Sequence, residues 1–230
     1  MTATARRVPV RRILRTLSSV MIVAGVILLA DAAVTMLWQE PVSAVYAHFQ
    51  QKALDNDLAE LEQAPLEPAE QRALKKIPDV SRRLAFRARA LERRVDEGDA
   101  MGRISLPRIG VSEVFVEGTG SGDLRKGPGH YPGTPFPGEH GTVAIAGHRT
   151  TYGAPFRRID ELEPGDRIEL RMPYGDFTYR VERTRIVPPT ETSVTDRVDH
   201  DRLILSACHP LYSAAKRIVV FARLDRGVAR

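Results

Sequence analysis

Leu203-Ile204-Leu205-Ser206-Ala207-Cys208-His209-Pro210, followed at once past a short loop by Arg217-Ile218-Val219-Val220-Phe221, is the stretch on which the reading of this chain turns. Both runs are short, apolar and rich in β-branched residues, which is the pattern of buried strands. Pro210 lacks a backbone N–H and stops the first run. Antiparallel pairing across the 209–216 loop would bring Cys208 and Arg217 near one another. A cysteine at a strand end beside a loop is also accessible in a way that a mid-strand cysteine is not.

Outward from this pair, similar runs recur between Gly and Pro clusters: Arg103–Leu106, Glu113–Glu117, Thr142–Ala146, Arg167–Arg171 and Phe177–Ile186. Phe156–Leu162 reads as a short helix and Asp123–Lys126 as one turn. Seven to eight strands in about 125 residues imply a mostly β fold, a closed β-barrel with short helices. Glu97-Gly98-Asp99-Ala100-Met101-Gly102 marks where the pattern changes, so the barrel domain is taken as 102–230.

Upstream, residues 39–101 read as a helical linker or stalk. Val42, Val45, Phe49, Leu54, Leu58 and Leu61 recur at helical spacing, Pro65 and Pro68 interrupt them, and a second charged stretch runs from Pro68 to about Asp96. The expected role is a solvated spacer. Its basic cluster (Arg82, Arg83, Arg87, Arg89, Arg93, Arg94) carries no distinctive motif for an anionic partner.

Residues 1–16 hold five arginines and no acidic residue, and the apolar run Leu17 to Trp38 follows. Twenty-two residues at about 1.5 Å each give roughly 33 Å, enough for a hydrocarbon core of about 30 Å. Arginines before the run and Glu40 after it predict a single-pass anchor in the cell membrane, with the N-terminus cytoplasmic and the remainder extracellular. Asp31 lies inside the run, and Ala30-Asp31-Ala32 fits a small-x-small cleavage pattern, so a removable signal peptide is the alternative. Either way the barrel lies outside the cytoplasm.

The 230 residues carry a net charge of +5 without a single basic block, which argues against nucleic acid as a partner. One cysteine excludes an intramolecular disulfide and any multi-thiolate metal site. The chemistry therefore centres on Cys208. Arg217 would favour its ionised form and stabilise charge developing on a substrate carbonyl. His148 follows the apolar run Val143–Ala146, and two reactive side chains at the ends of two buried strands is how a scaffold holds a Cys–His pair. On spacing alone the signal is weak, and a structural histidine and an inert buried cysteine are the commoner outcomes.

Three motifs in register settle on a family. Gly147-His148-Arg149-Thr150-Thr151-Tyr152-Gly153-Ala154-Pro155-Phe156 resembles the histidine motif of sortases, the cysteine transpeptidases of Gram-positive cell surfaces. Leu205-Ser206-Ala207-Cys208-His209-Pro210 with Lys216-Arg217-Ile218-Val219-Val220 resembles their cysteine and arginine motifs, and Gly127 to Thr134 resembles the class E branch of actinobacteria. The resemblance spans about residues 103–225. The family usually has Thr-x-Thr-Cys or Thr-Thr-Cys before the nucleophile. Ala207 stands here without a hydroxyl, a departure that bears on turnover and substrate preference rather than on reaction class.

The resemblance implies that Cys208 attacks the Thr–Gly carbonyl of a C-terminal LPxTG-like or LAxTG-like sorting signal, the latter favoured by the class E likeness. An acyl-enzyme forms, and an amine of a peptidoglycan precursor resolves it. His148 acts as general acid and base, and Arg217 holds the oxyanion or substrate backbone. Ala207, Thr192 and Tyr152 are the candidate substrate-binding residues. The chemistry requires no cofactor, and although some sortases use calcium, no calcium site is assigned. Partners are thus proteins bearing such signals, the wall amine and the membrane.

Other readings differ in what they predict. A secreted cysteine hydrolase would use water as acceptor and release free acid. A non-catalytic anchored β-barrel module would keep its ligand after Cys208 is alkylated. A metal module would draw on His130, His140, His148, His209 and Cys208, whose spacings match no compact zinc pattern. Gly118-Thr119-Gly120-Ser121-Gly122 lacks the Lys-Ser/Thr of a phosphate loop and reads as a turn.

Overall fold

The computed structural model describes residues 10–37 and 41–230; two of the five leading arginines (Arg6 and Arg7), Trp38 at the end of the apolar run and Glu40 after it lie outside the described residues. The chain divides into two units, Met1–Pro41 and Val42–Arg230. The first contains helix α1 (Val10–Leu37), which runs unbroken through Ala30-Asp31-Ala32. Its stretch Arg11–Val34 is 24 residues with none buried. At about 1.5 Å per residue this is roughly 36 Å, long and apolar enough to cross a membrane.

Helix α2 (Pro41–Gln63) belongs to the second unit from Val42 onward, with Pro41 in its first turn where the missing N–H costs nothing. It is not a solvated spacer. Ala47, Leu54 and Leu58 are buried, whereas Val45 and Phe49 are mostly exposed. The barrel-facing stripe is Ala47, Gln51, Leu54, Leu58, Leu61, half-buried at Gln51 and Leu61, a 4-3-4-3 spacing that the apolar count missed because a glutamine occupies one position. That glutamine is fully partnered. Its amide donates to the Val114 and Lys126 carbonyls (both 2.9 Å) and accepts from the Val114 N–H (2.8 Å). Leu54 and Leu58 then pack on Ala100, Val114 and Val116.

The second charged stretch is two helices, α3 (Pro68–Lys75) and α4 (Val80–Glu92), separated at Pro78. Asp79 caps α4 by accepting from the Arg82 N–H at 2.8 Å. Leu84, Ala88 and Leu91, spaced i, i+4, i+7, insert into the barrel core. The fit is tight enough that a Cβ on Gly175 would lie 2.7 Å from Leu84.

Eight strands among the described residues close the barrel: β1 (Ala100–Leu106), β2 (Val111–Glu117), β3 (Gly129–His130), β4 (Thr142–Ala146), β5 (Arg167–Met172), β6 (Gly175–Val187), β7 (Arg202–His209) and β8 (Lys216–Ala229). A four-residue helix, α5 (Ser121–Leu124), sits between β2 and β3. The order around the barrel is β1-β2-β3-β4-β7-β8-β6-β5. Each expected strand is present, several of them longer, and β3 was not expected because two residues leave no periodicity to read. The Phe156–Leu162 segment is a set of turns with a 3-10 turn at Ile159–Glu161 rather than an α-helix. Closure leaves no free edge strand. Alternate residues of each strand fill a core that includes Met101, Phe115, Phe156, Phe177 and Tyr179.

Two of the pairings are parallel, β2 with β3 and β4 with β7. The second matters most for function. Parallel neighbours end at the same rim of a barrel, so whatever follows β4 emerges beside whatever ends β7.

Candidate active site

On β7 the pleat separates two faces. Leu203, Leu205 and Ala207 point into the core, while Ile204 and Ser206 line an outer groove. Cys208 continues the outer series and is partly exposed. Across the antiparallel ladder Cys208 stands opposite Arg217, and Ala207 opposite Ile218. Arg217 also lines the groove, and its guanidinium donates to the Ala214 and Lys216 carbonyls, both at 3.0 Å.

The histidine arrives from β4. The parallel register pairs Ala146 with Ser206, and the Gly147 N–H continues it by donating to the Ser206 carbonyl at 3.0 Å. His148, two residues past the end of β4, therefore emerges at the rim where β7 ends with Cys208 and His209. Gly147 has to be glycine, because a Cβ there would lie 2.5 Å from the buried Phe156 ring. The loop then closes on itself, with the Phe156 N–H donating to the His148 carbonyl at 3.0 Å. The two ends of the motif therefore require each other.

His148 lies against Tyr152, ring centroids 5.2 Å apart. Burial, with a smaller contribution from the nearby Arg125 cation, lowers the His148 pKa below its ordinary value. A depressed imidazole is a poorer base and, once protonated, a readier proton donor. Arg125 itself stacks on the Tyr152 ring at 5.6 Å.

One residue given no role in the sequence joins the two halves of the site. Arg149 is buried (3% exposed) and ion-paired to Asp160 at 2.8 Å. It donates to the Arg157 carbonyl (3.1 Å) within its own loop, and reaches the Cys208 carbonyl (3.5 Å) and His209 Nδ1 (3.3 Å) on β7. An arginine has five fixed donors, and this one links the histidine loop to the end of the cysteine strand. The signal was available only as an arginine inside the histidine motif.

The other candidate positions separate. Thr192 begins a 3-10 turn, Thr192–Thr195, and lines the groove with Arg217, Ser206, Pro188 and Tyr131. Ala207 is buried in the barrel core, so its methyl group faces away from the groove. Tyr152 packs on His148 and on Tyr46 of α2, at 6.2 Å from the latter, and does not line the groove. Among the candidate metal ligands, His130, a residue of β3, is buried and held by Glu117 (2.7 Å) and Thr134 (2.9 Å), a structural arrangement.

A cysteine, a histidine and an arginine gathered at one rim of a closed β-barrel, beside a groove, define a candidate thiol-dependent acyl-transfer site. Residues 104–225 match the model of the sortase domain, over half of the sequence. The chain belongs to the sortase family. It is 39% identical over 132 residues to Sortase D of Bacillus subtilis, covering 56% of this chain and 65% of that protein. It is 28% identical over 145 residues to Sortase SrtE1 of Streptomyces coelicolor, covering 56% of this chain and 41% of that one. Among solved structures it is similar to a Clostridium perfringens Sortase D5 transpeptidase, with TM-score 0.61, 25% identity, and coverage of 77% of this chain and 99% of that. It is also similar to sortase E from Streptomyces avermitilis, with TM-score 0.54, 33% identity, and coverage of 58% and 93%.

Proposed function

We propose that this protein is a membrane-anchored transpeptidase that cleaves an LPxTG-like or LAxTG-like sorting signal between Thr and Gly and transfers the acyl part to a cell-wall amine. The observation that carries this reading is the strand register, with Cys208 opposite Arg217 and β4 delivering His148 to the same rim. The peptide lies in the groove lined by Thr192, Ser206 and Arg217. The Cys208 thiolate adds to the Thr carbonyl carbon, and the oxyanion that forms is met by the Arg217 guanidinium. The C–N bond then breaks as the His148 imidazolium protonates the leaving Gly amine, leaving a thioester and neutral imidazole. An incoming amine attacks the thioester and passes its extra proton to His148. The C–S bond breaks and the thiolate returns.

Helix α1, long and apolar enough to span a bilayer, supports the anchor. Arg11, Arg12 and Arg15 at its start support a cytoplasmic N-terminus and an extracellular barrel. The class E likeness rests on the Gly127–Thr134 and Gly147–Phe156 motifs, whereas overall identity is higher to the relative named Sortase D than to SrtE1. Both LAxTG and LPxTG peptides therefore belong in the test.

The full chain in detergent is incubated with each peptide and a glycine amine, beside Cys208→Ala, His148→Ala and Arg217→Ala. Amine-linked product is expected from the wild type and none from Cys208→Ala. Undiminished product from Cys208→Ala would end the transpeptidase reading, and free acid in place of amine-linked product would make the protein a hydrolase.

A further inference from the structure

Helix α2 lies outside the residues that match the sortase domain, yet its first turns reach the loop that carries His148. Ser43 is buried, and its Oγ accepts a hydrogen bond from the Tyr152 N–H at 2.8 Å. Ala47, one turn on, closes over Gly153, where an added Cβ would sit 3.3 Å from the Ala47 methyl. Tyr46 meets the Tyr152 ring edge-on, and Tyr152 in turn packs on His148.

The part of the loop so held needs holding. Tyr152, Gly153 and Ala154 have φ of 51°, 75° and 46°, three successive left-handed residues, two of them with side chains. A residue with a side chain is strained in that region and persists there only where its surroundings impose it. Inside the loop, the Ala154 N–H donates to the Thr151 carbonyl at 2.9 Å. The Tyr152 N–H is satisfied from α2. The remainder of α2 is secured independently by Gln51, Leu54 and Leu58, and no α2 residue lines the groove beside Arg217.

We propose that Ser43 and Tyr46 are positioning residues of the active site, holding the left-handed turn at Tyr152 so that its ring packs on His148 and sets the imidazole at the rim. The inference rests on His148 as the acid–base group of the proposed reaction. It also means that a fragment beginning at residue 102, where the β pattern starts, lacks part of its own active site.

The test uses the full chain in detergent with Ser43→Ala, Ser43→Thr and Tyr46→Ala, and follows the His148 ring by NMR titration alongside turnover. Tyr152 packs on that ring and Arg125, beyond α5, is the cation near it; Glu113 of β2 lies against Gly153 of the same loop, and Cys208 and Arg217 belong to the rim where β7 and β8 meet. None of these changes in any variant, and Tyr46 touches Tyr152. Loosening Tyr152 exposes the ring, so Ser43→Ala and Tyr46→Ala are expected to raise the His148 midpoint toward an ordinary histidine. They are expected to lower kcat about five-fold, the worth of one hydrogen bond, with KM for the peptide unchanged. Ser43→Thr keeps the acceptor and should behave as wild type. A helix that merely stabilises the fold would shift the unfolding midpoint and leave the titration alone. An unchanged His148 midpoint, or turnover that rises, overturns the proposal. If the wild type forms no Cys208-dependent product, the transpeptidase reading fails by itself, and the titration still decides the contact.

Discussion

Replacing Arg149 by Met tests the claim that a buried guanidinium couples the histidine loop to the cysteine strand. Methionine keeps the length of the stem and removes every donor. Asp160 is half exposed, its side chain retaining 51% of its accessible surface, so the Asp160 carboxylate can turn to water and contributes little to the cost. The Arg157 carbonyl, which accepts at 3.1 Å, and the Cys208 carbonyl lose a charged donor. Hydrogen bonds from charged donors are worth about 1.5–3 kcal/mol, and two of them, the Cys208 contact being long at 3.5 Å, give about 2–4 kcal/mol. Asp160→Asn should cost under about 1 kcal/mol, because only the exposed half of the pair changes. Urea unfolding of the three proteins measures both numbers, and an unchanged m-value keeps the comparison valid. The coupling has a second readout. Freed from β7, the loop carries His148 away from Cys208, and turnover should fall in Arg149→Met by more than in Asp160→Asn. If Asp160→Asn destabilises as much as Arg149→Met, the cost lies in the ion pair rather than in the bridge to β7, and the reasoning here is wrong.

Glu113 on β2 is desolvated beside the histidine loop, and burial raises its pKa to about 7 against the opposing pull of Arg103. The folded state then holds its proton more tightly than the unfolded chain. Stability is therefore greatest below about pH 4.5 for this group and declines as pH rises toward 7, by at most about 3 kcal/mol. Glu113→Gln should flatten that decline and raise the melting temperature at pH 8, and an unaltered slope between pH 5 and 7 would refute it. Gly147→Ala drives a methyl into the Phe156 ring, and such overpacking costs about 1–3 kcal/mol. Thermal unfolding should register it together with a loss of turnover, and a variant that melts with the wild type would show that the ring yields freely.

Much of the barrel is legible in short apolar runs because a strand buried on one or both faces advertises itself in two or three consecutive residues. Cys208 and Arg217 could be paired on paper, since one short loop joins their strands and a hairpin leaves little choice of register. β3 was hidden because Gly129–His130 offers no repeat to recognise. The docking of α2 was hidden for a different reason. Its barrel-facing stripe contains Gln51, and an apolar count assigns a glutamine to solvent, whereas three hydrogen bonds to β2 and Lys126 hold it half-buried against the barrel.

The amino-acid sequence alone determined the long apolar helix at the N-terminus, the change from helical to β pattern near residue 100, and the family motifs around His148 and Cys208. Each is a local property, set by spacing along the chain or by residue identity within a few positions. Only the tertiary structure decided that β4 runs parallel to β7, that Ala207 faces the core, that Arg149 is interior, and that α2 lies against Tyr152. These depend on which distant backbones share a ladder and which side chains meet across it. Such contacts are selected by burial summed over the whole barrel, and no window of neighbouring residues contains that sum.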